Sequence, residues 1–264
     1  MTESPRVTTP GSASESASEV PFAASSEAGP EAPGGARTTV GVAFEDPAYL
    51  AAVVDLLGAI GYGEMSAFER LAEDAKLAPD LADKVELARM ASTEFGHFEK
   101  LRDRLVELGV DPFEAMEPFR VPFDAFHART GPADWLEGLV KAYVGDGLAA
   151  DFYREIAAFV DSGTRDLIIE SLADAGQSRF VVDRVRRAIA EDPRVGGRLA
   201  LWGRRLMGEA LAQAQRVAAE RDALSALLSG GVDRPALDLA GIGRLFTRLT
   251  ENHSLRMQAL GLAA

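Results

Sequence analysis

The spacing of apolar residues constrains the fold of this chain more than any other feature of the sequence. From Phe44 onward, apolar side chains recur three and four residues apart, and the alternation typical of strands is scarce. Residues that favour helices, above all Ala, Leu, Glu and Arg, are abundant over the same region. The sequence therefore predicts an all-α protein whose helices each bury one apolar face.

Turn signals predict where these helices begin and end. Clusters of Pro, Gly and Asp separate six helical segments, at about residues 47–77, 81–108, 133–160, 164–191, 195–228 and 236–259. Residues 110–133 contain four prolines, which predicts an irregular crossover with room for one short helical piece. The order is two helix hairpins joined by a long crossover, with two additional C-terminal helices. Two hairpins connected in this way form a four-helix bundle.

Composition sets the limits of the ordered region and excludes several classes of protein. Residues 1–39 are rich in Ser, Ala, Pro and Glu, which predicts a disordered tail and leaves residues 40–264 as the helical domain. The chain has no cysteine, so disulfide scaffolds, Cys-ligated metals and cysteine nucleophiles are excluded. No uncharged apolar stretch is long enough to span a membrane, and the first 30 residues lack a secretory signal. We therefore expect a cytoplasmic protein that does not associate with membranes.

Acidic residues on the apolar faces of the first hairpin are the anomaly that points to chemistry. At about 100° per residue, Glu64 lies within roughly 20° of Leu57, in the middle of an apolar stripe. In the second helix, Glu94 and His97 fall on the apolar line and form a Glu-x-x-His motif. This spacing brings a carboxylate and an imidazole side by side, where both can reach one metal ion.

The second hairpin repeats the pattern with different residues. Asp146 lies on the apolar line of the third predicted helix, and Asp174 and Gln177 lie three residues apart on the line of the fourth. Glu64 and Glu94 are separated by 30 residues, and Asp146 and Asp174 by 28. At a rise of about 1.5 Å per residue, these similar separations predict that all four acids lie at a similar depth in the bundle.

The charge of this set predicts a pair of metal ions. Four buried and unpaired carboxylates would be prohibitively unstable, whereas two divalent cations would neutralise them. Ligands that are mostly oxygen, with one imidazole, suit iron or manganese better than structural zinc. The six candidate ligands are Glu64, Glu94, His97, Asp146, Asp174 and Gln177.

Three stretches carry a resemblance to a known family: FERL at residues 68–71, STEFGHF at 92–98 and LADAGQS at 172–178. With them, the ordered chain resembles the ferritin-like di-iron carboxylate proteins, and in particular the actinobacterial ferritin-like proteins grouped with the MiaE-type tRNA hydroxylases. The resemblance implies two irons that activate dioxygen, an electron donor, and hydroxylation of the isopentenyl group of a modified tRNA adenosine. By position, Glu64, Glu94 and His97 would hold or bridge one iron, and Asp146, Asp174 and Gln177 the other.

Departures from the family pattern leave two alternatives open. The second Glu-x-x-His motif is replaced by Asp174-x-x-Gln177, and both acids of this half are Asp rather than Glu. One alternative is a ferroxidase or iron-handling protein, which predicts a cage or another large homo-oligomer. The other is a ferritin-like scaffold with a degenerate metal site.

An arginine-rich segment is the sequence feature that could bind tRNA. Residues 179–221 contain ten Arg and no Lys against five acids, within a chain of net charge −13. Arginine suits phosphate recognition, although pairing with acids of the same chain is an alternative. The candidates are Arg184, Arg186, Arg187, Arg198, Arg204 and Arg205. The two remaining histidines, His127 and His253, are expected to be surface or capping residues rather than ligands.

Overall fold

The helical architecture was obtained from a computed structural model, which describes residues 44–172, 177–229 and 238–264. Over these ranges the protein is helical and contains no strand, so the all-α prediction is confirmed. A single 3-10 turn, Ala75–Leu77, follows the first helix. The helices are α1 (Pro47–Asp74), α2 (Leu81–Glu107), α3 (Pro112–Arg129), α4 (Trp135–Ala157), α5 (Ser162–Ser171), α6 (Gln177–Glu191), α7 (Arg194–Glu220), α8 (Asp222–Ser229) and α9 (Leu239–Ala259).

Aspartate residues set the starts of most helices. In six of them an Asp side chain just before the first turn accepts a hydrogen bond from a backbone N–H of that turn, which otherwise has no partner. At the start of α1, Asp46 accepts from the amide of Ala48, and Pro47 occupies the first helical position. The N-cap residues are Asp46, Asp80, Asp111, Asp134, Asp161 and Asp238.

Helix α1 lies at the centre of the bundle. It packs against α2 along the first hairpin and also contacts α3, α4 and α8, and α4 in turn packs against α7 and α9. Leu56, Leu57 and Ile60 are almost completely buried on α1. Among the described residues, the segment Pro47–Leu77 is long and apolar enough to cross a membrane, but 61% of its most apolar window is buried inside the protein. Its composition is therefore explained by its place in the core.

Helix α3 contradicts the prediction of an irregular crossover. Residues 112–129 form a continuous helix that contains Pro118 and Pro122. These prolines lie four residues apart, so the missing backbone hydrogen bonds fall on one side of the helix. Met116 and Phe119 are buried against neighbouring helices, and this packing outweighs the local cost of the prolines.

Glycines on α1 allow α3 to approach it closely. A Cβ atom at Gly58 would collide with the backbone carbonyl of Ala115. At Gly61 it would lie 2.5 Å from Cε of Met116. At Gly58 the two helices therefore meet almost backbone to backbone, which a larger residue would not permit, whereas at Gly61 the contact is with the flexible end of the Met116 side chain.

Two predicted helices are shorter than the periodicity indicated. The segment predicted at 164–191 forms α5, which ends at Ser171, and α6, which begins at Gln177, and residues 173–176 lie outside the described residues. The segment predicted at 195–228 is divided into α7 and α8 at Arg221, which adopts a non-helical conformation and pairs with the buried Asp55 of α1. This second break depends on a contact between distant parts of the chain, which helical periodicity does not record.

Candidate metal centre

Glu64 of α1 meets Glu94 and His97 of α2 in the interior of the bundle. One ligand atom from each of the three side chains lies within 4.8 Å of the others. Nδ1 of His97 is 3.6 Å from Oε2 of Glu64 and 3.4 Å from Oε2 of Glu94. Glu64 and Glu94 are only 8% and 5% exposed. The α1–α2 hairpin thus forms a buried carboxylate–histidine cluster from these three residues.

The electrostatics of the cluster show an excess of negative charge. Burial raises the pKa of Glu64 well above its ordinary value; the nearby His97 opposes this shift, and Glu94 adds to it. The two carboxylates raise the pKa of His97 to about 9 against the opposing effect of burial. With both carboxylates ionised, one imidazolium would leave a net negative charge, and a cation bound at the cluster would favour that ionised form.

The other buried acids in the described residues differ from this pair. Each has an arginine partner, whereas no Arg or Lys forms an ion pair with Glu64 or Glu94 in the same part of the chain. The imidazole Nδ1 of His97 is buried without a hydrogen bond of good geometry. Such a set of oxygen and nitrogen donors fits a divalent metal ion. The paired acids are Asp55 with Arg221, Asp83 with Arg184, Glu137 with Arg198, and Asp151 with Arg256.

The remaining predicted ligands are resolved to different degrees. Asp146 of α4 is exposed, so the prediction that it is a buried acid is wrong. It lies close enough to the cluster for its negative charge to contribute to the raised pKa of Glu64. Asp174 lies outside the described residues, and for Gln177, the first residue of α6, only the backbone is described. Metal binding by the six residues stays a prediction. The structure brings Glu64, Glu94 and His97 together, and the charge of Asp146 affects the pKa of Glu64.

A cavity of about 540 Å³ borders the cluster and is lined by Glu64, Glu94, His97 and Asp146 together with many apolar side chains. Its volume falls within the range typical of small-molecule sites, about 300–1,000 Å³. Tyr153 also lines it, and burial raises the pKa of this phenol, with the charge of Glu64 adding to the shift.

The two remaining histidines are less exposed than predicted, since His127 is half-buried and His253 is buried. His127 lines the cavity, where burial and the charges of Lys141 and Arg70 lower its pKa to about 3. His253 is only 5% exposed. His127 is half-buried rather than on the open surface because α3 continues as a helix through the crossover and places this residue on the wall of the cavity. His253 lies on α9, which packs against α4.

Three cavity residues that the sequence reading missed are Arg70, His127 and Lys141. A signal for Lys141 was present, since it is the one charged residue in the otherwise uncharged run GLVKAYVG at 138–145. A lone charge within an apolar helical run is a marker of function or pairing.

Most of the candidate phosphate-binding arginines have partners within the chain. Arg184 forms an ion pair with Asp83 at 2.5 Å, and Arg198 forms one with Glu137 at 2.5 Å. Arg187 is exposed. The others donate to backbone carbonyls: Arg186 to Ala259 and Gln258, Arg204 to Ala263, and Arg205 to Arg129. Contact with tRNA stays a prediction.

Comparison with protein families identifies a match over most of the described chain. The model of a ferritin-like domain of actinomycetes matches residues 47–231. A search of curated proteins gives no match. The matched segment begins with α1 and includes every candidate metal ligand.

Proposed function

The chain belongs to the ferritin-like domain family of actinomycetes, and from this premise we propose that it is a di-iron carboxylate protein that uses dioxygen to oxidise an organic substrate. Glu64, Glu94, His97 and Asp146 would hold the metals, with Asp174 and Gln177 as the further ligands. Iron bound there supplies one-electron redox chemistry and a binding site for dioxygen. The same oxygen-rich donors also suit manganese.

The unpaired buried acids support the metal-binding part of the proposal. Removing a carboxylate from water costs several kcal/mol, and in this chain arginine offsets that cost at four other buried acids. At Glu64 and Glu94 no arginine offsets the cost of burying the carboxylate in the described part of the chain, so another cation would have to do so. Divalent metal ions bring this charge in a form that carboxylate and imidazole ligands accept.

The observation that supports an organic substrate is the cavity beside the carboxylate–histidine cluster. A chamber of about 540 Å³ with largely apolar walls fits an organic group better than a path for hydrated iron ions. Phe123 and Phe152 are among the apolar side chains that form these walls. Tyr153 holds its phenolic proton near Glu64, since its pKa is raised above the ordinary value.

Metal analysis of the full chain, purified without oxygen and loaded with ferrous iron, tests the proposal. We expect two irons per chain in the wild type, and loss of iron in Glu94→Gln and in His97→Ala. Glu99→Gln is the matched control, because Glu99 is an exposed acid on the same helix. A wild-type chain that binds no metal would instead support the degenerate scaffold.

Dioxygen uptake separates the proposal from the ferroxidase alternative, which the Asp174-x-x-Gln177 departure keeps open. A ferroxidase would oxidise successive additions of ferrous iron without organic substrate and would assemble into a large oligomer. The proposed oxygenase would consume dioxygen with added ferrous iron only until its own sites are oxidised. An oxygen electrode and a sedimentation measurement on the same sample distinguish the two.

The narrower substrate prediction, a modified tRNA adenosine, rests on the family resemblance and on the arginine-rich segment. It is tested by comparing the modified nucleosides of tRNA from cells with and without the gene. Loss of hydroxylated isopentenyl adenosine would support this substrate. Unchanged nucleosides would remove tRNA and leave the oxidation of a smaller organic molecule.

A further inference from the structure

A second polar group of residues lies in the same cavity, away from the carboxylate–histidine cluster. Arg70 of α1, His127 of α3 and Lys141 of α4 all line the cavity, and we refer to them as the basic cluster. Their charges act on one another: Arg70 and Lys141 both lower the pKa of His127. Three helices therefore bring one basic residue each to one part of the chamber.

Lys141 is the most buried member of the basic cluster. The residue is 6% exposed, and in the described part of the chain no hydrogen bond or ion pair engages its ammonium group. Its Nζ lies 5.7 Å from the centre of the Phe126 ring, a cation–π contact. Burial lowers the pKa of Lys141 to about 8 despite the opposing charge of Asp74. Most of this side chain is buried, and a charged ammonium in such surroundings is costly unless a ligand or solvent accepts its hydrogen bonds.

The other members also present unused polar atoms. Nε of Arg70 and Nδ1 of His127 are buried without hydrogen-bond partners. The outer nitrogens of Arg70 are already engaged, since NH1 lies 2.8 Å from Glu73 and NH2 lies 3.8 Å from Glu69. Unused donors are thus concentrated here, and a ligand that fits them must accept hydrogen bonds.

Asp74 limits which acceptor fits best. Its carboxylate lies near Lys141, and the Lys141 charge lowers the pKa of Asp74 against the raising effect of burial. The two are not close enough to form an ion pair, so Asp74 reduces the positive field without occupying the Lys141 donors. A singly charged acceptor therefore suits the cluster better than a doubly charged phosphate.

The basic cluster lies far enough from the carboxylate–histidine cluster for one elongated molecule to contact both. Arg70 follows Glu64 by six residues on α1, and Asp146 follows Lys141 by five residues on α4. At about 1.5 Å per residue, the two clusters are roughly 8–9 Å apart along the helix axes. The cavity is lined by residues of both clusters and by apolar side chains such as Leu71 and Met90.

We propose that the basic cluster binds the carboxylate of an organic acid whose apolar chain extends through the cavity toward Glu64 and Glu94. Lys141 donates to the carboxylate, Arg70 Nε supplies a further donor, and the apolar walls bury the chain. The proposal rests on the proposed function only in treating this acid as the substrate, because binding of the acid requires no metal.

Calorimetric titration of the metal-free full chain with decanoate tests the proposal, with 1-decanol as the uncharged probe of the same chain. We expect decanoate to bind the wild type and Lys141→Met to weaken it about ten- to hundredfold, the effect of losing a charged hydrogen bond. Binding of 1-decanol should be weaker in the wild type and unchanged by the substitution. Lys84→Met is the matched control, because Lys84 is exposed on α2.

Two results would overturn the inference: no binding of decanoate to the wild type, or equal binding to the wild type and Lys141→Met. If Lys141→Met does not fold, Lys141→Gln replaces it, with folding checked by circular dichroism. Lys141→Arg keeps the charge and should retain most of the affinity. The metal analysis is an independent test. If the chain binds decanoate but no iron, this inference stands and the proposed function is removed. If the chain binds iron but no decanoate, the proposed function stands and this inference is overturned.

Discussion

The buried acids of this protein fall into two groups that solve the same physical problem differently. Asp83 and Asp151 are typical of the first group, in which an arginine from a distant helix neutralises the carboxylate. Glu64 and Glu94 form the second group, with only the imidazole of His97 beside them. The comparison teaches that burial of an acid is not by itself a sign of function. A missing arginine is the more informative observation.

The largest expected effect tests the paired group. Arg184→Met leaves the carboxylate of Asp83 buried without its partner, and we expect a loss of about 3–5 kcal/mol in the free energy of unfolding. Urea denaturation measures the loss, and a chelator should not alter it. Arg187→Met, at an exposed position on the same helix, should change stability by less than about 0.5 kcal/mol. Equal effects of the two substitutions would contradict the role of the ion pair.

Metal addition tests the unpaired group. Ferrous or manganous ion at about a hundred times its dissociation constant should raise the free energy of unfolding by about 2.7 kcal/mol, and a chelator should reverse the gain. Glu94→Gln should abolish the gain, since it removes a ligand. Anaerobic thermal denaturation with and without metal is the measurement. A wild-type melting temperature that does not change with either metal would contradict the assignment of Glu64 and Glu94 to a group that a metal ion neutralises.

Lys141 extends the comparison to a buried cation without an ion-pair partner. At pH 7 the folded protein carries this charge at a cost, so Lys141→Met should raise the stability of the metal-free protein by about 1–3 kcal/mol. Between pH 8 and 10.5 the unfolded Lys still holds a proton that the folded Lys has released, so wild-type stability rises with pH there. The advantage of the variant should therefore shrink over this range. Urea denaturation at pH 7 and pH 10 checks the sign, and a constant difference would contradict it.

The smallest expected effect concerns Glu64. Burial raises its pKa and so disfavours the charged form of the carboxyl, and the neutral isostere in Glu64→Gln lacks only that form, so metal-free stability should change by less than about 1 kcal/mol. The same substitution should remove the gain on metal addition. Denaturation in the presence of a chelator measures the first effect. A loss as large as that of Arg184→Met would place Glu64 with the structurally paired acids.

Helical periodicity was sufficient to predict the fold class and the inner face of the first hairpin. Glu64, Glu94 and His97 lie on apolar stripes, and residues on one helical face stay together whatever the helix packs against. Their meeting followed from a short turn and a similar distance from it. The fold and this part of the site could therefore be predicted without any knowledge of contacts between distant helices.

Features that depend on packing could not be predicted in this way. The helical state of α3 depends on Met116 and Phe119 finding a surface on α1, which local proline signals do not report. The end of α7 depends on the pairing of Arg221 with Asp55, 166 residues away in sequence. The cavity is a space between helices, and no residue type marks a space. The cytoplasmic location, the disordered tail and the tRNA partner stay predictions.

The close seating of α3 on Gly58 and Gly61 has a consequence for how this chamber could change over time. Because the backbone of α3 lies against α1 at Gly58, the wall that α3 contributes to the chamber is seated directly on the central helix. Relatives that accept larger or smaller molecules would have to alter side chains along that wall, such as Phe123 or His127. Ligand preference would then diverge by point substitution in one helix while the hairpin that carries Glu64, Glu94 and His97 is preserved.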